Sequence, residues 1–555
     1  MPRRGNDREL QAAAALHVDL IPGTDVMRDV EQIHFSHLQG SNIVLTPQPS
    51  ADLKDPLNWS KKWKCLVISI QFIYTFITVE SALSIAPMYP LLNADFGLSE
   101  QQVGLLTGVC VLALGFANFV IVPCSNIFGR RLASIVFAVL VVGSSIWEAV
   151  ATSYSSLLAA RVINGAATAT NESVMVQVVA DVFFLHERGL WTGVYFTSYF
   201  LGLFIGPVIS GNIAQIHGWR SFFWLATGLG GFSLVILIFL FPETKYRRAS
   251  PVINVSSSAE TSNKGDLGTY DLDAHKKELS ELEEGAPLGQ TPTVDISVIG
   301  KGKPGKSNFK LIRRPDPRWR TLLARDIISP FRVFFYPIIF WAGLMVAGPA
   351  NLLLFWNLTE STILGAPPYN FNSSLVGYAN FAFVVGGLAG LVTAGPLSDW
   401  TANRATRRND GIREAEMRLP ALIPYGILTG VGIVVGGLGY QNLWPWEVIL
   451  IVGYGLTGLA VTTIPTIAVA YAIDCYKPIS GEIMVVATVL KNTCGFAMSY
   501  WVTPLAERKG YITPAMVQLA LTIGPVVLAI PLYFYGKKLR KLTATSDLHT
   551  LEEQM

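Results

Sequence analysis

The chain has 555 residues, of which 51% are hydrophobic and only 15% are charged, and its formal net charge is +3. A typical soluble domain carries about 25% charged residues, so this composition indicates a protein embedded in a membrane. The net charge is too small for a nucleic-acid-binding surface, and we exclude nucleic acid as a partner.

The cysteines and histidines exclude further classes of protein. All five cysteines lie in or beside apolar segments, so neither a disulfide framework nor a zinc-ligand spacing is visible. All seven histidines lie outside those segments, and no nucleophile stands at a useful spacing from a base. We expect no metal, no cofactor and no enzymatic activity.

Residues 1–62 are polar and lack the charged-then-apolar pattern of a signal sequence, so they predict a cytosolic tail. Twelve apolar segments follow, each roughly 20 residues or longer, which is enough to cross the ~30 Å of membrane hydrocarbon. They lie near residues 65–92, 101–124, 132–152, 156–181, 189–214, 219–241, 331–358, 375–397, 419–440, 445–473, 479–505 and 513–536. Each is predicted to be a helix, because an open strand cannot satisfy its backbone in lipid.

These segments predict an all-α integral membrane protein of twelve transmembrane helices. The helices divide into two six-helix bundles, residues 63–241 and 329–538, and residues 539–555 form a cytosolic C-terminal tail. With the N-terminus inside, the cytosolic loops and the C-terminal segment hold most of the cations. These are Arg130, Arg131, Arg188, Arg404, Arg407, Arg408, Arg413, Lys477, Lys537, Lys538, Arg540 and Lys541. The positive-inside rule therefore places both termini in the cytosol.

Residues 242–328 separate the bundles and are rich in Ser, Gly, Pro and mixed charge, which predicts a cytosolic and largely disordered linker. Within it, Gly300–Ser307 matches the nucleotide-binding pattern GxxxxGKS/T, which requires a strand before it and a helix after it. Pro315 and Pro317 follow closely, and the linker is too short for an α/β domain. We interpret the match as chance and expect no nucleotide.

The two halves repeat a pattern of charges near their predicted cytosolic ends, which supports a duplicated six-helix unit. The residues concerned are Arg130, Arg131 and Asp181 in the first half and Asp399, Arg407, Arg408 and Asp474 in the second. We interpret them as two inner latches that break when the protein changes state. The alternative is a static surface ion pair worth about 0–1 kcal/mol.

Polar groups inside the apolar segments are costly in lipid and mark candidate sites. They include Glu80, Asn171, Glu172, Lys491 and Asn492. We expect the two carboxylates to bind protons or a cationic substrate in a central cavity, with a structural role as the alternative. The lysine balances a carboxylate, binds an anionic group or forms a structural salt bridge. Four aromatic side chains are expected to line the cavity or else to pack helices, namely Tyr195, Tyr199, Tyr471 and Trp356.

Small residues recur at every fourth position in the apolar run Gly193–Gly211. They are Ser198, Gly202, Gly206 and Ser210. Such a stripe predicts the close approach of another helix in lipid. Pro207 removes one backbone donor and predicts a kink.

Several motifs resemble those of the major facilitator superfamily, over roughly residues 55 to 540. PCSNIFGRR resembles the family's GxLaDrxGR(K/R) signature, although Val122 and Asn126 replace its first glycine and its acid, and GPLSDW in the second half keeps Asp399. ARVINGA resembles the antiporter signature RxxxG, with Arg161 in the arginine position. The span-five antiporter signature is matched at Gly193, Gly202, Gly206, Pro207 and Gly211.

Other segments resemble one fungal branch of this family. FPET, PPYNFNSSLVGY and RRNDGIREAEMRL are similar to the drug:proton antiporter-like branch, which also contains organic-cation and polyamine importers. The resemblance implies a monomer in which two rocking halves give alternating access to a central cavity. It implies that Arg161 is a proton-coupling or helix-bridging cation, with an interfacial snorkelling arginine as the alternative. It also implies that span five forms a dry seam between the halves that limits proton leak.

We expect a secondary transporter that exports small organic molecules, such as drugs, toxins or secondary metabolites, in exchange for protons. The first alternative is proton-coupled uptake of an organic cation such as a polyamine, and the second is a non-transporting nutrient sensor that signals through the linker. We expect the plasma membrane as its location, with the vacuolar membrane as the alternative. Asn372 lies in a predicted outer loop and is the expected glycosylation site.

Overall fold

A computed structural model describes residues 24–26, 50, 52–246, 300–311, 315–409, 412–476 and 479–543. Most of the predicted N-terminal tail (1–62), most of the linker (242–328), Lys477 and much of the C-terminal tail (539–555) lie outside these residues. The expectations about these segments stay predictions.

Six helical spans form the first half. They are span one (Lys61–Leu83), span two (Glu100–Phe128), span three (Arg130–Val150), span four (Tyr154–Thr168 and Thr170–Val182), span five (Leu185–His217) and span six (Trp219–Leu240). A 3-10 turn (Ala86–Met88) and a short helix (Tyr89–Phe96) follow span one. Span two begins with a capping box between Ser99 and Gln102, which satisfies backbone amides at its start.

Six more spans form the second half. They are span seven (Pro337–Gly365), span eight (Ser373–Ala379 and Phe381–Arg408), span nine (Leu422–Asn442), span ten (Trp446–Val448, a π-helical turn at Ile449–Tyr454, and Gly455–Cys475), span eleven (Ser480–Lys509) and span twelve (Ile512–Thr543). An additional helix, Trp319–Phe334, precedes span seven, so helical structure begins inside the predicted linker. Two short strands, Thr24–Val26 and Ile412–Glu414, pair antiparallel outside the spans.

Eleven helices among the described residues are long and apolar enough to cross a membrane. The remaining predicted span, span four, is divided at Ala169 into helices of 15 and 13 residues. There the Glu172 backbone amide donates to the Ala169 carbonyl at 3.1 Å, an i→i+3 bond typical of a tightened 3-10 turn. The predicted all-α membrane fold is confirmed, and the break places Glu172 in the first turn that follows it.

Successive spans alternate in direction, so span one begins and span twelve ends on the same side of the protein. We call that side the terminal face and the opposite side the far face. The two halves meet mainly where span two packs on span eleven and span five on span eight. A Cβ on Gly108 or Gly115 of span two would lie 2.8 Å from the Cβ of Ser499 or Asn492, so glycine permits the close contact with span eleven.

The predicted small-residue stripe of span five packs mainly against span one, within the same half. A Cβ on Gly202 would lie 2.8 Å from the carbonyl oxygen of Phe76, and one on Gly206 would lie 3.1 Å from Glu80 Cγ. The helix continues through Pro207. The prediction that these two glycines lie at the interface between the halves is therefore wrong, because both face span one.

The far end of the same helix does contact the other half. A Cβ on Gly211 would collide with the backbone carbonyl of Ser373 in span eight. Phe204, on another side of span five, stacks on Phe383 with ring centroids 5.9 Å apart. Gly193 has no atom within 4 Å of its Cβ position. Contacts between the halves therefore involve Gly211 and the aromatic side of span five.

Candidate functional site

A cavity of about 140 Å³ lies between the halves, near the middle of the protein. Five of the predicted cavity residues line it, namely Glu172, Tyr195, Tyr199, Lys491 and Asn492. Apolar and aromatic side chains form most of the rest of its wall, among them Phe196, Phe200, Leu203, Leu353, Val461 and Met484. Pockets of this kind, mostly apolar with a few converging polar groups, are typical sites for small organic ligands.

An ion pair crosses this cavity from one half to the other. Lys491 Nζ of span eleven lies 2.5 Å from Glu172 Oε1 of span four, and the two side chains are only 15% and 6% exposed. The Tyr199 hydroxyl donates to the same oxygen at 2.9 Å, and Asn492 Nδ2 lies 3.5 Å from Oε2. The lysine nitrogen also lies 5.7 Å from the centre of the Tyr199 ring. Four predicted residues thus form one polar cluster in an apolar environment. There, removing either charge would leave the other buried without a counter-charge.

A second cavity, of about 190 Å³, lies on the terminal-face side of the first. Glu172, Met484 and Thr488 line both cavities, so these three residues form the partition between them. Asn126 of span two and Asp326 of the Trp319–Phe334 helix line the second cavity. Glu172 therefore lines both the central cavity and a second cavity nearer the terminal face.

Glu80 and Asn171 do not line either cavity, contrary to the sequence-based expectation. Glu80 is fully buried at the contact of spans one and five, and neither carboxylate oxygen has a hydrogen-bond partner among the described residues. The Asn171 side-chain amide donates to Thr78, and its oxygen accepts from Thr75 at 3.3 Å. Both polar groups lie between helices of the first half.

Trp356 and Tyr471 are also packing residues here rather than cavity residues. Trp356 is fully buried, and its indole nitrogen donates to Thr457 Oγ1 at 2.9 Å. Tyr471 is fully buried against Trp341, with ring centroids 5.7 Å apart. Each lies in the apolar core of the second half, so both pack helices and neither lines the cavity.

Arg161 forms a salt bridge with a residue that the sequence reasoning missed. Its Nη1 lies 3.3 Å from Glu148 Oε1 of span three, and both side chains are 0% exposed. The guanidinium also donates to the backbone carbonyls of Ala82 and Leu106, which belong to spans one and two. Arg161 therefore bridges helices deep in the first half and does not snorkel to an interface. Glu148 was detectable as an acid inside the predicted span 132–152.

One of the two predicted arginines of the first half meets Asp181 at the terminal face. Arg130 Nε lies 3.1 Å from Asp181 Oδ2, and its Nη1 donates to Asn126 Oδ1 at 2.7 Å and to Ser125 Oγ at 3.3 Å. Arg131 instead donates its guanidinium to the backbone carbonyls of Phe241, Ile238 and Phe309. The contact to Asp181 therefore comes from Arg130, while Arg131 fastens the chain segments after span six.

Glu243 of the FPET motif supports this corner of the molecule. Its carboxylate accepts the backbone amides of Arg130 at 2.9 Å and Arg131 at 3.3 Å, at the start of span three. Negative charge is favourable there because it meets unpaired amides and the positive end of the helix dipole. Gly129, at φ +104°, leaves room for this carboxylate, which a Cβ would strike.

In the second half, the sequence reasoning named the correct acids and the wrong arginines. Arg418 Nη1 lies 2.7 Å from Asp399 Oδ1, and its Nε lies 2.6 Å from Asp474 Oδ2. Arg407 and Arg408 lie at the end of span eight and do not form this contact. The chain turns back after span eight, so Arg418 approaches from the 3-10 segment Ala415–Ala421.

The helix before span seven adds a polar contact to the first half that the sequence did not indicate. Asn126 Nδ2 donates to Asp326 Oδ2 at 2.6 Å, and Phe119 stacks on Phe331 with centroids 5.2 Å apart. Asp316 Oδ2 lies 3.4 Å from Lys245 Nζ. Asn126, which stands at the acidic position of the signature that this segment resembles, therefore accepts from Arg130 through its oxygen and donates to Asp326 through its nitrogen.

Known proteins resemble this chain along most of its length. The sequence pattern of the Major Facilitator Superfamily matches residues 70–474. C1271.10c of Schizosaccharomyces pombe, an uncharacterized MFS-type transporter, is 28% identical over 555 residues, covering 95% of this chain and 94% of the relative. Protein HOL1 of Saccharomyces cerevisiae is 27% identical, covering 95% and 96%. Efflux pump radE of Floropilus chiversii is 23% identical, covering 88% and 83%.

A solved structure has the same fold. The partially occluded inward-open form of the xylose transporter XylE from E. coli superposes with a TM-score of 0.52 at 12% identity. The similarity covers 85% of this chain and 99% of the xylose transporter.

Proposed function

The chain belongs to the Major Facilitator Superfamily, and we propose that it exports small organic molecules in exchange for protons by alternating access. The family and the named relatives make it a multi-pass membrane transporter and not an enzyme, in agreement with the sequence-based expectation. The coupling ion, the substrate class and the direction are our proposal. The ion pair between Glu172 and Lys491 carries it, because this pair joins the two halves inside the central cavity.

Glu172 is the proposed proton carrier. A proton on its carboxylate cancels the charge that holds Lys491, so protonation weakens the contact between spans four and eleven. The second cavity lies on the terminal-face side of Glu172, so this carboxylate stands between the central cavity and that face. In this proposal, the ion pair forms when Glu172 gives up its proton, and it breaks when the carboxylate takes up a proton again.

The lining of the central cavity supports an amphipathic organic substrate. Phe196 and Phe200 offer aromatic faces, and Asn351 and Asn357 offer amide groups on the opposite wall. Aromatic walls favour flat apolar groups, while a few amides fix the orientation of a polar substituent. A strongly hydrophilic substrate would leave most of this wall poorly matched.

Uptake of an organic cation is the second candidate, and the carboxylate of Glu172 in the cavity favours it. Two other observations favour export over uptake. Lys491 already occupies the position beside Glu172 that a substrate ammonium would take. Glu80, the second expected acid, lies away from the cavity among spans one and five.

We place the terminal face in the cytosol, because the clusters around Arg130 and Arg418 and the last-turn cations of span twelve, Arg540 and Lys541, lie on it. Both clusters then act as inner latches whose ion pairs loosen during the change of state. Asn372, exposed at the start of span eight, lies on the far face, where glycosylation occurs in a eukaryotic secretory pathway. We propose a monomer in the plasma membrane, with the vacuolar membrane as the alternative.

A transporter-deficient yeast that expresses the chain tests the proposal. We expect it to expel members of a panel of amphipathic organic compounds, and we expect a proton uncoupler to abolish this efflux. Uncoupler-sensitive accumulation of a labelled polyamine, without efflux of the panel, would replace export by uptake. Proton-independent movement would contradict the proposed coupling to protons. No movement in either direction would contradict both transport mechanisms and favour the sensor.

A further inference from the structure

Seven exposed lysines surround the place where the end of the linker contacts the terminal face. They are Lys54, Lys61, Lys62, Lys301, Lys303, Lys306 and Lys310, and we call them the lysine cluster. The first three precede or begin span one, and the other four come from the linker. Sequence alone separates these two groups by more than 200 residues, so only the fold reveals the cluster.

Backbone hydrogen bonds hold the linker in this place. The amides of Gly300 and Gly302 donate to the Asn58 carbonyl at 3.0 and 2.9 Å, and the Ser60 amide donates to the Gly302 carbonyl at 2.9 Å. Gly302 lacks a side chain at the point of closest approach, since a Cβ there would meet the Leu53 carbonyl. These hydrogen bonds use backbone atoms only. The lysine side chains are exposed and are accessible to a ligand.

The same linker segment is fixed to the ends of the spans. The Phe309 ring lies 6.4 Å from the Trp63 ring of span one, and its carbonyl accepts from Arg131 of span three. The linker segment that carries four of the lysines therefore lies against the start of span one, where cations are expected beside the lipid headgroups.

The neighbouring acids are occupied by other groups. Asp55 is fully buried and accepts the Leu57 amide at 3.1 Å, and Glu243 accepts backbone amides of span three. Asp52 accepts from the Tyr246 hydroxyl at 3.2 Å. Among the described residues, none of the seven lysines takes part in a salt bridge. The cluster thus presents a strong positive charge with little internal compensation.

We propose that the lysine cluster binds the phosphate groups of anionic lipids in the membrane leaflet at the terminal face. Clustered lysines beside a transmembrane helix are attracted to anionic lipid by about 1 kcal/mol each, which corresponds to roughly fivefold in affinity per lysine. The linker continues into the Trp319–Phe334 helix, whose exposed side chains include Ile328 and Phe331, 47% and 58% exposed. This apolar surface beside span two gives the linker a second contact with the bilayer.

The proposal also assigns a role to the segment that matches a nucleotide-binding pattern. Lys306–Phe309 forms only a four-residue 3-10 helix, and the described residues just before it, 303–305, form no strand. Gly300 and Gly302 donate to the Asn58 carbonyl, and Lys301, Lys303 and Lys306 of the same segment are exposed. The same composition that mimics a phosphate-binding loop therefore suits lipid phosphates.

Full-length protein in an uncharged detergent tests the proposal with dioctanoyl phosphatidylserine and dioctanoyl phosphatidylcholine as probes. We expect the serine lipid to bind more tightly, with an affinity that falls as NaCl rises from 50 to 300 mM, because salt screens exposed charges. Lys301→Gln with Lys303→Gln should weaken this binding tenfold or more. Arg508→Gln with Lys509→Gln, which removes two cations from the far face, is the matched control and should leave it unchanged.

Both double variants should keep the thermal unfolding temperature of the unmodified protein, because the linker is held by backbone groups. Equal binding of the two lipids, or an equal loss in both double variants, would overturn the proposal. Tighter binding of MgATP than of the serine lipid would also overturn it and would assign the cluster to a nucleotide. Because the probes are soluble, these results do not depend on substrate transport, and a failure here leaves the proposed function to its own test.

Discussion

Lys491 Nζ lies 2.5 Å from Glu172 Oε1 although 319 residues separate them in the chain. This pair joins spans four and eleven, and therefore the two halves, at the wall of the central cavity. It is the one predicted set of intramembrane charges that the fold brings into contact across the halves within the described residues. A change of state that separates spans four and eleven has to break it.

We predict that Glu172→Gln abolishes proton-driven transport while the protein still inserts into the membrane. The amide cannot carry the exchanged proton, and it leaves Lys491 without its counter-charge. Uphill transport driven by an imposed pH gradient in proteoliposomes is the measurement. Glu507→Gln, an exposed acid on the far face, is the control and should transport normally. Retained uphill transport by Glu172→Gln would move the coupling role to another residue.

The same pair makes a separate prediction about stability. Removing one member of a buried ion pair costs about 3 kcal/mol, because the remaining charge is left without its partner. Glu172→Gln and Lys491→Gln should therefore each lower the thermal unfolding temperature, and the double variant should recover most of the loss. Transport should stay absent in the double variant. Additive losses in the double variant would show that the two side chains act independently.

Span five allows stability and transport to be separated. Gly206→Ala should destabilise the protein by about 1–3 kcal/mol, because its Cβ would press on Glu80 of span one and on Ser84, which follows that helix. Gly193→Ala, at a position with open space, is the matched control and should have no effect. Gly211→Ala should reduce the transport rate as well as stability, since its Cβ would collide with the Ser373 carbonyl of the other half. Thermal unfolding and proteoliposome uptake, measured on all three variants, check whether each loses stability, transport, both or neither as expected.

Arg418 should matter more than the arginines that the sequence favoured. Arg418→Gln leaves Asp399 and Asp474 without their shared cation and should lower stability by about 1 kcal/mol and reduce transport. Arg407→Gln and Arg408→Gln should have little effect on either. A similar loss of transport in all three variants would indicate a general charge effect of this face.

Glu414 predicts a pH dependence of stability. Burial alone would raise the pKa of this carboxyl, but hydrogen bonds from Lys537 at 2.7 Å and Arg540 at 2.8 Å hold the pKa below its usual value. The folded pKa is thus lower than the unfolded value of about 4.3, so the stabilisation is present above that pH and is lost as pH falls through the folded pKa.

We therefore expect Glu414→Gln to lower the thermal unfolding temperature at pH 7 and to have a smaller effect near pH 3. Purified protein in detergent, scanned over this range, gives the measurement, and Glu507→Gln is again the control. An effect of Glu414→Gln that is equal at both pH values would contradict the role of its charge.

Much of the architecture was predictable because hydropathy is a local property that adds along the chain. Twelve apolar segments, their helical state and the division into two bundles followed from it. The contact of Arg130 with Asp181 was also expected, since both lie at predicted ends of spans in the same half. Span four was predicted as one helix because the break at Ala169 follows from packing and not from a Pro or Gly residue.

Which polar groups meet was decided by the tertiary structure alone. Glu80 and Glu172 are equivalent as acids within apolar segments, yet only Glu172 faces the cavity and meets Lys491. Sequence spacing fixes the side of a helix on which a residue lies, but not which helix packs there. The same reason explains why Glu148 was missed as the partner of Arg161 and why the lysine cluster could not be seen. Sequence determines what each span can bury, and packing between distant spans determines which charges become partners.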